Sequence, residues 1–486
     1  MRSLFRQRLA VVPSRQFSFG GCPFPPTAAP AGLLLTGAPG SGKTVFKNQC
    51  TDSILLDIAE RRAESAWRRA LLYAHKPREV LRHLRALGIP REELAIFHPG
   101  RLDCRPLAES LDYAGEDGVF DLAKQLVPEN PRTSEPFWER ACATVVDGVG
   151  NVFLRRARGP WYSDDLLYAV SDPQRLKWVL SHWEGNSALL ESFFGPEVER
   201  TRQSVLFTLE THAKTLRVSA KQLKAARARG AAPFSFVRDW MLGAGPRIVV
   251  VCHATTYAKS WGLTYVPFII STAIRAFKEH TDHTQARPSL TLFDFDEFVQ
   301  FRMNEPAEFF ATVRELGGVP LVAVQSEPLL HAVYGEDLGR GILSNLSFQA
   351  HGTTNDAETA ESASAQFGTH ELVRRPLNAS GKEIFTEARV SPDALLQENE
   401  AGKLRFFCRA PGVGKWRYEI ALRDVARVPP EVARELEAEE DRMRAPSDDI
   451  VPWGEADLRR LGLSNPHADR AAWPAFLDPN ADWRRA

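Results

Sequence analysis

The eight residues Gly37-Ala38-Pro39-Gly40-Ser41-Gly42-Lys43-Thr44 constrain this chain more than any other feature. They match G-x-x-x-x-G-K-[ST] in full, between the apolar run Gly32-Leu33-Leu34-Leu35-Thr36 and a helix-like stretch opening at Lys43. In such a loop the glycines let successive N–H groups turn inward around phosphate oxygens, and the following helix points its positive dipole end at the same anion. Lys43 is then placed to reach the β/γ-phosphates of ATP, and the Thr44 hydroxyl to ligate Mg²⁺. The segments that follow keep an α/β rhythm. Arg69–Ala74 reads as a strand, Pro77–Leu87 as a helix and Leu94–His98 as a strand. This predicts a parallel sheet with right-handed crossovers.

The texture then changes. From about Gly115 to Gly230 the patterns are helical: Phe120–Val127, Phe137–Leu154, Asp164–Val170, Gln174–Trp183 and Val198–Arg229. Trp138, Trp161, Trp178 and Trp183 fall here and read as core anchors. Strands return at Arg247–Cys252, Leu290–Phe295, Pro320–Gln325 and Leu346–Ala350, with helices at Phe268–His280 and Ala307–Leu316 between them. Lys403–Cys408 and Trp416–Leu422 read as a hairpin around Pro411-Gly412.

The expected fold is a RecA-like P-loop NTPase, with a doubly wound, mainly parallel sheet and an inserted all-alpha subdomain. Its parts are a basic lead-in (1–16), the first part of the ATPase domain (17–114), the helical insertion (115–235), the second part with its late hairpin (236–429) and a charged, Pro-rich, loosely attached tail (430–486).

A second acidic site supports ATP chemistry. The apolar strand Leu290-Thr291-Leu292-Phe293 runs into Asp294-Phe295-Asp296-Glu297. Asp296 is the candidate for the Mg²⁺ shell, and Glu297 for orienting and polarising the attacking water. Asp294 is an extra acid within the strand. The next strand ends in Gln325, where an amide beside the P-loop strand can sense the γ-phosphate and the lytic water. Arg314 precedes that strand, and on its own reads as a surface ion-pair partner. Gly412-Val413-Gly414-Lys415 lacks the upstream glycine spacing and reads as a turn.

Composition narrows the rest. The 486 residues carry 61 Lys+Arg against 61 Asp+Glu, so no global field draws the chain to nucleic acid or anionic lipid. Any DNA contact must come from a local patch. Lys214, Arg217, Lys221, Lys224 and Arg227 recur at spacings of three and four without intervening acids, which makes one basic stripe on a helix. The six cysteines are scattered singly, against a zinc site or a disulfide framework and in favour of a reducing, cytoplasmic setting. No apolar run reaches the roughly 18 residues of a membrane span. The arginine-bearing, acid-free start also admits an organellar transit segment.

The ordered set of segments resembles the coupling-protein ATPases of conjugative type IV secretion (TraD/TraG type), within the HerA/FtsK superfamily. The resemblance runs through Phe19-Gly20-Gly21, the P-loop, Phe137-Trp138-Glu139 after Leu126-Val127-Pro128, and Asp296-Glu297-Phe298. It continues from Arg314 to Gln325, through Tyr334-Gly335 and Ile342-Leu343-Ser344-Asn345, to Thr359-Ala360 and Gly368. It implies a ring-forming, usually hexameric, ATP-driven DNA pump, with Arg314 as a finger acting on a neighbour's nucleotide and Gln325 as a sensor. Partners would be DNA, other copies of the chain, and a relaxase or secretion-channel protein that could recruit the chain to the inner membrane. The chain departs from the family in lacking a membrane span of its own before the P-loop. It also carries Tyr73-Ala74-His75-Lys76 where the second strand usually ends in an Asp-Pro-Lys-type motif.

Overall fold

The computed structural model describes residues 17–24, 32–60, 68–98, 115–127, 137–228, 233–254, 261–284, 290–303, 305–374, 383–425 and 453–463, with a few single positions between them. The basic lead-in and most of the tail lie outside the described residues.

The chain divides into two compact units. The first comprises the chain to Leu94, Pro246–Val250 and Lys278–Glu437. The strands, numbered in chain order, are β1 (Phe17–Phe19), β2 (Cys22–Phe24), β3 (Leu33–Thr36), β4 (Arg69–Ala74), β5 (Leu94–Phe97), β6 (Ile248–Cys252), β7 (Thr291–Phe295), β8 (Gly318–Val324), β9 (Phe348–His351), β10 (Thr369–Arg374), β11 (Glu383–Ala388), β12 (Lys403–Ala410) and β13 (Gly414–Ala421). Nine of them form one mixed sheet in the order β13-β12-β9-β3-β8-β7-β4-β6-β5. Pairing is parallel from β9 through β3, β8 and β7 to β4, and antiparallel where the β12–β13 hairpin joins β9. Every residue of β3, β4, β7 and β8 is buried, which explains why these strands read as continuous apolar runs. This is the expected doubly wound, mainly parallel sheet of a RecA-like P-loop NTPase.

Two short hairpins escape the apolar pattern. β1 and β2 turn at Gly20-Gly21, both with positive φ. A Cβ on Gly20 would lie 2.8 Å from Cys408 Sγ, and one on Gly21 2.7 Å from the Tyr418 ring. The turn is therefore pressed against β12 and β13, and Trp416 Nε1 donates to the Gly20 carbonyl at 2.9 Å. Phe19 packs edge-on against Phe46 of the P-loop helix and Phe348 of β9. The second hairpin pairs β10 with β11.

The second unit draws on Ala95–Gly245, Val251–Phe277 and the chain after Ala438. It is built largely from helices, Gly115–Leu126, Phe137–Arg156, Ser163–Val170, Pro173–Leu180, Ser187–Phe194, Glu199–Ala228 and Val266–Thr284 among them. Trp161 is a core anchor at 1% exposure, but Trp138 stands 41% exposed beside exposed Phe137, so it does not anchor the core as expected.

The C-terminal segment also departs from expectation. Residues 453–463 are not a loose tail. The helix Glu455–Arg460 buries Leu458, and Trp453, Leu461 and Leu463 around it are buried too. Arg460 grips the buried Asp165 carboxylate with both guanidinium nitrogens at 2.8 Å, and Trp453 Nε1 donates to the same carboxylate at 3.2 Å. Its guanidinium is held firmly protonated by Asp165 and Asp457 against the cost of burial. Trp453→Ala should cost the helical unit about 3–5 kcal/mol, the range for deleting a buried aromatic. Urea unfolding followed by far-UV circular dichroism would read that loss.

Candidate functional site

The P-loop leaves the C-terminal end of β3 and opens the helix Lys43–Ala59. Gly42, at the helix N-cap, has φ 93°, and a Cβ there would lie 2.5 Å from Leu404. Only glycine meets both demands. Pro39 and Gly40 form the exposed lip, while Gly37, Ala38 and Ser41 are buried. No side chain caps the helix, so no side chain takes up its first N–H groups. The loop is braced from β9, where Ala38 N–H donates to the Thr353 carbonyl at 2.7 Å and Gly352 N–H to that of Thr36 at 2.8 Å.

Lys43 Nζ lies inside this cradle, donating to the Gly37 and Ala38 carbonyls at 2.6 and 3.3 Å. It sits 3.8 Å from Glu297 Oε1. Burial lowers the ammonium's pKa, partly offset by Glu297 and Asp296. Two buried oxygens in the site lack a protein partner: Ser41 Oγ and Glu297 Oε2. A glycine-rich loop, a helix start with no capping side chain, an ammonium and an unpartnered hydroxyl fit a nucleotide phosphate. Half-buried Thr44, at the helix start, and buried Asp296 form a hard-oxygen set that fits Mg²⁺.

Glu297 occupies the left-handed backbone region, φ 52° and ψ 57°. Among the described residues only Glu305 shares positive φ without being glycine. Such strain costs about 1–2 kcal/mol and collects at functional positions.

β7 explains a residue the sequence reading passed over. Side chains alternate along a strand, so Phe293 and Phe295 fall on one face, against Phe309, and Asp294 and Asp296 on the other. That second face meets the P-loop helix. Lys47, fully buried one turn beyond Lys43, places its ammonium 3.0 Å from Asp294 and 3.7 Å from Asp296. The two carboxylates hold Lys47 protonated against its own desolvation. Burial pushes the Asp294 carboxyl up to about 6 despite Lys47, so at pH 7 it remains ionised. The only sequence signal was indirect: an acid inside an apolar strand needs a cation, but nothing in the sequence names Lys47 as that cation.

The remaining expected residues fall into place differently. Val324 pairs with Thr36 across β8 and β3, so Gln325, the next residue, comes level with the start of the P-loop. Arg314 is not on a helix end. It is exposed, in the turn after the helix Pro306–Thr312 that leads into β8, and its carbonyl accepts from Gly317 N–H at 3.0 Å. At about 3.3 Å per residue the strand holds it roughly 20 Å from Gln325, at the edge of the sheet away from its own P-loop. His351, at the end of β9, shares a 2.8 Å hydrogen bond with the Thr36 hydroxyl, and burial lowers its pKa to about 4.

The basic stripe is corrected in part. Arg227 makes a bidentate pair with Asp164, both bonds 2.6 Å, and Lys224 lies 3.7 Å from Asp457. The guanidinium edge that Arg227 commits to this carboxylate is not offered to a phosphate. The side chains of Lys214, Arg217 and Lys221 lie outside the described residues. No helix among the described residues is long and apolar enough to cross a membrane.

The family model described as the type IV secretion-system coupling protein DNA-binding domain matches residues 16–391. The chain belongs to this coupling-protein family. No curated protein matches it. Among solved structures, the bacterial conjugative coupling protein TrwBdeltaN70, in its unbound monoclinic form, is 16% identical at a TM-score of 0.65, covering 88% of this chain and 93% of that one. The plasmid coupling protein TrwB with ADP and Mg²⁺ is 15% identical at 0.63, covering 88% and 92%. TrwB with a non-hydrolysable ATP analogue is 16% identical at 0.63, with the same coverage. These likenesses establish that the coupling-protein fold is shared.

Two outcomes are expected. Lys47→Ala strands two buried carboxylates and should destabilise by about 3–5 kcal/mol, whereas the double variant Lys47→Met/Asp294→Leu should recover most of that loss; a denaturant double-mutant cycle measures both. The neutral His351 means the unfolded chain binds the extra proton between pH 6.5 and about 4. Stability should therefore fall as pH drops through that window, by up to about 1.4 kcal/mol per unit from this group, and His351→Gln should flatten that limb of a melting-temperature profile.

Proposed function

We propose that this chain is an ATP-hydrolysing, ring-forming motor that moves or remodels DNA in conjugative transfer or a related mobile-element setting. The observation that carries the reading is the 3.8 Å approach of Lys43 Nζ to Glu297 Oε1 over the P-loop cradle, in a chain that belongs to the coupling-protein family. The nucleotide and Mg²⁺ seen in the TrwB structures support the same ligands here.

The loop N–H groups and Lys43 bind and orient the phosphates, and nucleotide entry draws Lys43 away from the Gly37 carbonyl. Thr44 and Asp296 would hold Mg²⁺, which would supply charge neutralisation for the phosphates. Glu297 orients the attacking water and takes its proton. Lys47 keeps Asp296 in place from beneath. Gln325 registers whether the γ-phosphate is present.

Arg314 is remote from its own P-loop, and by the family resemblance its guanidinium would serve the nucleotide of an adjacent copy. That supports a closed oligomer, with six copies as the family resemblance implies. DNA is the expected substrate, and a relaxase or secretion-channel protein the expected partner.

Steady-state ATP hydrolysis with and without single- and double-stranded DNA tests the reading. Turnover should rise several-fold with DNA and fall at least about 100-fold in Glu297→Gln, with ATP binding retained. Turnover indifferent to DNA would point instead to a nucleotide-gated scaffold. Arg314→Ala should lose turnover alone, and mixing it with Glu297→Gln copies should restore a fraction, because each supplies what the other lacks. Failure of mixing to restore any turnover would remove Arg314 from the trans role.

A further inference from the structure

Three of the sequence segments that the ATP site does not use come together in one place. The helices Glu327–Tyr334, Glu336–Ser344 and Ala357–Phe367 wall a cavity of about 590 Å³ in the first unit. It begins two residues beyond Gln325.

Its polar lining is unbalanced. Glu327 is only 6% exposed. One carboxylate oxygen accepts from the Ser362 hydroxyl at 2.7 Å, and the other, Oε1, is buried without a partner. His331 Nε2 and Gln366 Oε1, also in the lining, are likewise buried and unpartnered. Glu336 and Glu358 add two carboxylates, against Arg340, which is already paired with Glu336 on its own helix, and His331, which acts on Glu327. Burial raises the Glu327 pKa, opposed by the Ser362 hydrogen bond and by His331. A buried carboxylate with a free oxygen is costly unless a donor reaches it.

We propose that this cavity is a binding site for a single guanidinium or alkylammonium group, which the Glu327 carboxylate and the Gln366 amide turn outward to meet. An anion is excluded by the surplus of carboxylates. A metal ion is disfavoured, since no group of three or more His, Cys, Asp or Glu side chains among the described residues is placed to hold one. A guanidinium fits better than a compact ion: it is planar, weakly hydrated and carries several donors, matching acceptors spread over a wide cavity. The group is either an arginine side chain of a second copy of this chain or a free small cation.

The test is calorimetric titration and thermal melting of the full chain with methylguanidinium chloride, at millimolar concentration and fixed ionic strength, against tetramethylammonium chloride, which has no N–H donor. Saturable binding and a rise in melting temperature with methylguanidinium alone are expected. Glu327→Gln should abolish both. Gln366→Leu, which leaves the carboxylate intact, should weaken binding several-fold and keeps the test open if Glu327→Gln folds poorly. Equal responses to the two cations, or undiminished binding in both variants, would overturn the site. Sedimentation in the same solutions separates the sources: dissociation of assemblies by methylguanidinium identifies an arginine from another copy, and unchanged assemblies together with saturable binding identify a free cation.

Discussion

One buried ammonium ties the nucleotide loop to the acidic strand. Lys47 lies beneath the P-loop with no solvent around it, and its charge is met by Asp294 and Asp296 from β7. The helix that begins at Lys43 therefore cannot rotate or slide without separating charges in a low-dielectric interior. Everything the site needs follows from that registration. Lys43 stays in the loop's cradle, Asp296 stays beside Lys47, and Glu297, the next residue, reaches Lys43. A hydrophobic contact would allow slippage at little cost, whereas an ion pair buried this deeply sets one arrangement.

Much of this was legible in the residues. The central strands were placed to within two residues because each is an apolar run long enough to be buried on both faces, bounded by glycine, proline or charge. The P-loop, Asp296, Glu297 and Gln325 followed from their position relative to those strands. Arg314 was assigned to a helix end because apolar periodicity continues through Val313 and Leu316, but Gly317-Gly318 lets the chain leave the helix at Thr312. The β1–β2 hairpin is too short for a period of two to register. Lys47 was missed because the acid that needs it, Asp294, is 247 positions further along the chain, and nothing local to Lys47 distinguishes it from a solvated lysine.

The helical unit shows the opposite failure. Its long helices were evident, yet Ser187–Phe194 and the segment 453–463 were not. The latter is one short helix in a charged, proline-rich stretch, and its composition resembles that of an unfolded tail. What anchors it is a distant carboxylate, Asp165, which collects Trp453 and Arg460 at once. The same competition for charge removes Arg227 from the basic stripe. Helical spacing identifies which cations share a face, but only the fold reveals which of them have already found an acid.

Glu297 and Glu305, the two non-glycine residues in left-handed conformation among those described, bracket a single connection between β7 and the helix Pro306–Thr312. That connection carries backbone strain at each end. Glycine at either end would relieve that strain, but at Glu297 it would also remove the carboxylate that lies 3.8 Å from Lys43. At Glu297, selection for stability and selection for keeping that carboxylate therefore pull in opposite directions, and screens for heat-resistant variants would be drawn to both strained positions.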